Sequence, residues 1–279
     1  DQGIMDSIFT KFGKVGMVNA SANWDKWNEI AQNMVNHEDQ KVKIAMVGKY
    51  VTVADSYVSV NHALKHAGAK IGKSADIDWI DSESISDYSI LSKFDGILVP
   101  GGFGTRGAEG IINTANYARE KNIPYLGICF GFQLAAIAFG RSVLNLEDGN
   151  STEIKPDAKN PIVDLLPEQK DVSDMGGSLR LGANEVKIKE NTIAHKIYNA
   201  DSINKRHRHR YEINSKYIPE FEKNGLIFSA DSDGGKRMEI LEIPSHKFYL
   251  GVQFHPEFNS RPGFPEESFE AFLKAASEK

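Results

Sequence analysis

Val42 to Gly48 reads VKIAMVG, an apolar run between polar flanks, and it predicts a short strand buried on both faces. The period changes at Tyr57. From there to Ala67 apolar residues recur at helical spacing, which predicts a helix that stops at Gly68. Asp76–Ile80 and Asp95–Val99 read as strands, Ala108–Lys121 as a helix, Pro124–Ile128 as a strand, and Phe130–Phe139 as a helix ending at Gly140. Strands and helices alternating at this length predict an α/β fold in three layers, a mainly parallel open sheet with helices on both faces.

The flanking regions have another texture. Residues 1–40 are polar, with one amphipathic piece whose Trp24, Trp27, Ile30 and Met34 share a helical face; they predict an interdomain linker and docking helix ahead of a main domain at 41–279. Residues 147–180 carry Pro156, Pro161, Pro167 and the pair Gly176-Gly177, and predict a mobile functional loop. Shorter strands are predicted near 185–189, 208–213, 226–230, 238–243 and 248–253, and a closing helix at Ser268–Ala276.

Composition narrows the function. Apolar residues at 41% support a sizeable core, and 33 basic against 38 acidic residues give a net charge of -5 with basic residues clustered only at Lys205–Arg210, which argues against nucleic-acid binding. The longest apolar run, near 123–139, is broken by Gly127, Gly131 and Gln133 and is too short to span a bilayer, so no membrane association is expected. DQGIMDSIF lacks the basic and apolar regions of a secretory signal, and a single cysteine cannot form an internal disulfide, so a cytoplasmic location is the expectation. The opening on Asp1 rather than Met reads as a fragment boundary.

That single cysteine lies in Gly127-Ile128-Cys129-Phe130-Gly131, where a strand gives way to a helix. The pattern fits a nucleophile elbow: a sharp turn strains the central residue, and flanking glycines remove Cβ atoms that would collide with neighbouring elements. A helix N-terminus also favours thiolate over thiol, so the thiol is expected to be reactive and presented to solvent. A buried, inert cysteine following a strand is the competing reading. A thiolate needs a base and an orienter for that base. His255 and Glu257, two apart in GVQFHPEF, would leave the same face of an extended segment with Pro256 restricting the chain between them. Val99-Pro100-Gly101-Gly102-Phe103-Gly104 follows a strand, and its exposed backbone N–H groups could form an oxyanion hole, Gly102 contributing with the N–H of Phe130. A phosphate loop is the alternative there, without the Lys-Ser/Thr ending; GAKIGKS at 68–74 is one residue short of that pattern. His62 and His66 have metal-ligand spacing but no completing ligand nearby, so a helix surface and no metal are expected. His207 and His209 could touch a substrate, while His37, His195 and His246 read as solvated.

Together these motifs resemble the class I (triad) glutamine amidotransferases. MVGKY, NHALKHAG, VPGGFGTRG, GICFGFQLA, NSTE, DMGGSLRLG, RHRHRYEIN and FHPEFNSRP, covering residue 42 to the end, resemble in particular the C-terminal glutaminase domains of the CTP synthase family. The resemblance implies a doubly wound, flavodoxin-like sheet and hydrolysis of L-glutamine through a thioester on Cys129, with His255 and Glu257 completing the triad. It implies glutamine binding by Gly102, Phe130, Gly131, Phe132, Gln133, Glu153 and Arg210: Glu153 for the α-ammonium, Arg210 for the α-carboxylate. A surface ion pair remains the alternative for those last two. Ammonia would pass to a synthetase domain outside these residues, which would use ATP and Mg to turn UTP into CTP, with GTP as allosteric activator and a homo-tetramer as the full-length assembly. No cofactor is implied for this domain itself. Phe130 and Phe132 depart from the Leu and Met common among relatives. Another class I amidotransferase, a γ-glutamyl hydrolase, or a non-catalytic interaction module on the same fold would be the other readings.

Overall fold

Buried strands and half-buried strands divide this protein into two regions. The computed structural model describes residues 4–13, 24–35, 39–51, 53, 55–166 and 179–278. The strands β1 (Lys41–Gly48), β3 (Gly96–Val99), β4 (Tyr125–Ile128) and β12 (Tyr249–Val252) are buried along nearly their whole length. Their apolar runs are therefore continuous, as expected where helices cover both faces. By contrast β7 (Arg180–Ile188) and β8 (Ser202–His209) alternate in exposure along much of their length, because one face is open.

Among the described residues one sheet has nine strands in the order β2-β1-β3-β4-β12-β11-β10-β7-β8, with β2 at Ser74–Asp81, β10 at Ile227–Ser232 and β11 at Arg237–Glu242. The first five are parallel and the remainder pair antiparallel, so the mainly parallel expectation holds for the half that carries the cysteine. The alternation of β1 sorts its side chains: Ala45 and Val47 pack beneath the helices α4 (Ala108–Glu120) and α5 (Phe130–Ser142), whereas Ile44 and Met46 pack beneath α3 (Val58–Ile71) and the final helix α8 (Glu267–Ser277). Two apolar layers sandwich one sheet.

Several boundaries differ from the sequence reading, for identifiable reasons. Helix α3 passes Gly68 and is capped by Gly72 at φ +69°; a Cβ on Gly68 would lie 2.5 Å from the Lys73 carbonyl oxygen, so that glycine allows close approach rather than ending the helix. Helix α5 likewise passes Gly140, where a Cβ would lie 2.4 Å from Ile162 Cδ1. Instead of one strand over 208–213, β8 ends at His209 and Glu212–Ile213 (β9) joins a separate sheet with Gly149–Ser151 (β5) and Asn160–Asp164 (β6). The predicted loop at 147–180 thus contains two strands; its residues 167–178 lie outside those described. The helices α6 (Ile193–Tyr198) and α7 (Ile218–Lys223) are too short for a periodic signal and were not anticipated.

Two helices precede the sheet, α1 (Ile4–Phe12) and α2 (Trp24–Val35). On α2, Ile30 fills the space beside Gly263, whose Cβ would lie 2.5 Å from Ile30 Cδ1, and Lys26 Nζ sits 5.0 Å from the Phe264 ring centre. Trp27 and Met34 on the predicted face remain largely exposed.

Because β1, β3, β4 and β12 run parallel as neighbours, the segments leaving their C-terminal ends emerge side by side. Lys49, the loop 100–104, Cys129 and the segment 253–257 are brought to one edge of the sheet in this way. Close packing of α5 on β3 fixes that edge, since a Cβ on Gly131 would lie 2.5 Å from the Val99 carbonyl oxygen. Gly131→Ala is therefore expected to lower stability by about 1–3 kcal/mol in denaturant unfolding. An unchanged midpoint would show that α5 slides freely off β3.

Candidate active site

The turn from β4 into α5 sets the site. Cys129 has φ +52° and ψ -95°. Among the described residues every other non-glycine with positive φ is Asn or Asp, the types that tolerate it through their short polar side chains. A Cβ on Gly127 would come within 2.8 Å of the Gly131 backbone, so the predicted requirement for glycine on both sides of the bend holds. The Cys129 amide donates to the Val252 carbonyl at 2.7 Å, tying the bend to β12. Solvent presentation does not hold in full: Cys129 is only 4% exposed and sits in the floor of a cleft of about 680 Å³. A site of that volume suits a small metabolite.

His255 lies within hydrogen-bonding reach of the Cys129 sulfur. Its Nδ1 bonds Glu257 Oε1 at 2.8 Å, leaving Nε2 for the sulfur. The route to this pairing differs from the extended segment expected, in which residues two apart would stand about 6.6 Å apart. Pro256–Phe258 instead form one 3-10 turn, and the turn swings the carboxylate back onto the ring. Burial works to lower the imidazole's pKa, but the negative charge and hydrogen bond of Cys129, followed by those of Glu257, outweigh it and raise the value to about 10. Gly101 leaves the room for this contact: a Cβ there would be 2.9 Å from His255 Cε1 and 3.7 Å from Cys129 Cβ.

The glycine loop faces the start of α5. A Cβ on Gly102 would stand 3.5 Å from Phe130 Cδ1, so the two expected oxyanion donors are neighbours. Glu153 Oε1 accepts the Gly104 N–H at 2.7 Å, and burial pushes this carboxyl's pKa up against the opposing pull of that bond, Lys49 and Arg210. Glu153 and Arg210 both line the cleft, as do Gly102 and Gln133. Gln133 Nε2 donates to the Tyr211 carbonyl at 3.0 Å and to Gln253 Oε1 at 3.1 Å, so any contact of Gln133 with a ligand falls to its Oε1. The rings of Phe130 and Phe132 turn away from the cleft into the core, and the Gly131 carbonyl accepts from Tyr125 Oη at 3.0 Å.

Three participants escaped the sequence reading. Gln253, fully buried, donates from Nε2 to the Cys129 sulfur at 3.7 Å; Lys49 braces the glycine loop; Gly101 clears space for the imidazole. Each stood inside a quoted motif, two residues before His255, at the end of β1, and beside Gly102, but only spatial adjacency gives them a role.

Strand β8 resolves the histidines. Lys205, His207 and His209 point inward and Arg206 and Arg208 outward, as a period of two requires. His207 Nε2 bonds Glu239 Oε2 at 2.8 Å, and Glu239 also accepts from Arg180 and from Ser232 Oγ. His207 is thus a buried structural partner rather than a substrate contact. His209 borders the cleft, and burial together with neighbouring His207 lowers its pKa to about 3. His66 and His246 are buried, against expectation, with Ser260 Oγ 3.1 Å from His66 Nδ1 and His246 Nε2 on the Ala118 carbonyl. His37 lies outside the described residues.

The family model for "Glutamine amidotransferase class-I" matches residues 52–275. The chain belongs to the class I glutamine amidotransferases. Its relatives within that family include the CTP synthase of Archaeoglobus fulgidus, 52% identical over 254 residues, and that of Staphylococcus saprophyticus, 50% identical over 255; each match covers 90% of this chain and 47% of the relative. The chain therefore spans about half the length of these relatives. Among solved structures it resembles the glutaminase domain of the Trypanosoma brucei CTPS with bound acivicin, at a TM-score of 0.80 and 39% identity, over 85% of this chain and 94% of that one. The amidotransferase fold expected from the sequence is the one observed.

Burial lowers the His255 pKa, and the negative charge of the neighbouring Cys129 sulfur raises it. Cys129→Ala should therefore lower the midpoint of the imidazole titration followed by NMR, so that the ring loses its proton at lower pH. A midpoint that stays in place would remove the thiolate–imidazolium pair.

Proposed function

We propose that this chain is a glutaminase that hydrolyses L-glutamine to glutamate and ammonia. The observation that carries the reading is a strained Cys129 in reach of His255, which is bonded to Glu257 at 2.8 Å, all facing a glycine loop. The relatives' identity as CTP synthases and the likeness to a CTPS glutaminase domain support the substrate.

In this reading the Cys129 thiolate attacks the carboxamide carbon, and the oxygen of the tetrahedral adduct takes the negative charge beside the N–H groups of Gly102 and Phe130. Each such donor is worth about 3 kcal/mol when preorganised. The imidazolium of His255 delivers its proton to the departing nitrogen, and the C–N bond breaks to leave a γ-glutamyl thioester and ammonia. Neutral His255 then removes a proton from water, the hydroxide adds to the thioester carbon, and the C–S bond breaks to restore the thiolate and release glutamate. Glu257 holds the ring tautomer. Glu153 receives the substrate's α-ammonium and Arg210 its α-carboxylate; both border the cleft, and their opposite charges match the two ends of an amino acid. Gln133 contributes through Oε1, and Gly131 and Phe132 act by shaping the helix start.

Ammonia would pass to a synthetase domain of the same protein for ATP- and Mg-dependent amination of UTP to CTP, with GTP as activator and a homo-tetramer as the assembly; residues 1–40 are the linker to that domain and 41–279 the glutaminase domain. No helix among the described residues is long and apolar enough to cross a membrane, and we place the protein in the cytoplasm.

Cys129→Ala should reduce ammonia release from glutamine at least about 1,000-fold, since the nucleophile cannot be replaced by the surrounding donors. Mass spectrometry of the parent during turnover should find the γ-glutamyl adduct on Cys129. A variant that hydrolyses glutamine at the parent rate would remove the nucleophile from the mechanism.

A further inference from the structure

One buried cation touches both sides of the oxyanion hole. Lys49, the first residue after β1, is 4% exposed. Its ammonium donates to the Phe103 carbonyl at 2.8 Å and the Gly104 carbonyl at 2.6 Å, and it lies 4.2 Å from the centre of the Phe130 ring. Its three protons thus have three destinations: two carbonyl oxygens and a π face. Desolvating an ammonium without a directly bonded carboxylate opposes its charge, and burial indeed lowers its pKa to about 8 despite the counteracting field of Glu153. The two charge-assisted bonds and the ring contact offset that penalty only in this geometry.

The peptide unit between Phe103 and Gly104 is held at both ends. Its C=O accepts from Lys49 and its N–H donates to Glu153 Oε1 at 2.7 Å. A peptide plane gripped at both ends cannot rotate, and it anchors the glycine loop two peptide units beyond the one that carries the Gly102 N–H. The second donor, the N–H of Phe130, belongs to the residue whose ring the same ammonium caps.

We infer that Lys49 is a positioning residue that locks the Gly102 and Phe130 N–H groups into one oxyanion hole, and keeps the glycine loop in place when Glu153 takes up the substrate's ammonium. The inference rests on the glutaminase reading. Lys49 touches neither the substrate nor the reacting atoms; it acts through the loop and the ring.

The test uses the 279-residue chain with Lys49→Met, nearly isosteric and uncharged. Loss of preorganised transition-state stabilisation should lower kcat about 100-fold and leave KM within about threefold. Alkylation of Cys129 by iodoacetamide, a displacement at a saturated carbon that builds no oxyanion, should stay within about twofold of the parent, and hydrogen exchange at residues 101–104 should accelerate. If the Met variant does not fold, Lys49→Gln, which keeps a neutral donor, should show the same split to a smaller degree. A kcat within about threefold of the parent, or a rise in KM at constant kcat, would overturn the inference. So would alkylation that slows in step with kcat, because the lysine would then serve the thiol rather than the hole. Should the parent itself release no ammonia while alkylation proceeds, the glutaminase reading fails separately. Exchange at 101–104 then decides for Lys49: acceleration in the variant supports the lock and unchanged exchange overturns it.

Discussion

A cysteine at φ +52° and ψ -95° lies outside the basins that residues with a Cβ occupy at ease, and holding it there costs on the order of 1–3 kcal/mol. The surrounding structure over-determines the bend. Gly127 and Gly131 lie so close to each other and to β3 that no side chain fits, the Cys129 amide is tied to Val252, and Tyr125 bonds the Gly131 carbonyl across the turn. The rigidity of four parallel strands is thereby concentrated in one backbone geometry that lays the sulfur in the cleft and opens a helix immediately behind it. The packing of α5 against β3 is the constraint that the Gly131 contact with the Val99 carbonyl enforces most directly.

Three ionisable groups around the sulfur are held in a partly desolvated setting and answered by specific partners. His255 has Glu257 on one nitrogen and the sulfur on the other; Glu153 has the Gly104 N–H and the fields of Lys49 and Arg210; Lys49 has two carbonyls and a ring. Such an arrangement needs little reorganisation when charge develops on a bound carbonyl, which is the electrostatic requirement of acyl transfer. The adjoining buried network around Glu239, which receives His207, Arg180 and Ser232, lies on the inner face of β8 and anchors the strand whose outer face offers Arg208 to the cleft.

The two halves of the sheet divide the labour. The parallel half delivers the sulfur, the glycine loop and the imidazole by the ends of neighbouring strands, and the antiparallel extension brings Arg208–Tyr211 across from the other side. The cleft of this amidotransferase therefore lies between the strand ends that carry the cysteine and the segment Arg208–Tyr211. Its relatives are about twice as long.

Local chemistry determined what could be read from the chain alone. Continuous apolar runs marked the strands of the parallel half, because burial on both faces leaves no room for polar residues; glycines around Cys129 and in the 101–104 loop marked the bends, because a Cβ is sterically excluded there; and the His-Pro-Glu spacing marked a pair, whatever backbone joined it. Tertiary structure decided the rest. Gly68 and Gly140 were close approaches rather than stops, since what they meet, Lys73 and Ile162, folds back from elsewhere. The inward turn of His207, the capture of Gln133 by Tyr211 and Gln253, and the bracing of the loop by Lys49 all join residues 32 to 120 positions apart, and no local period encodes which of two polar groups will be left facing the cleft once the strands are laid side by side.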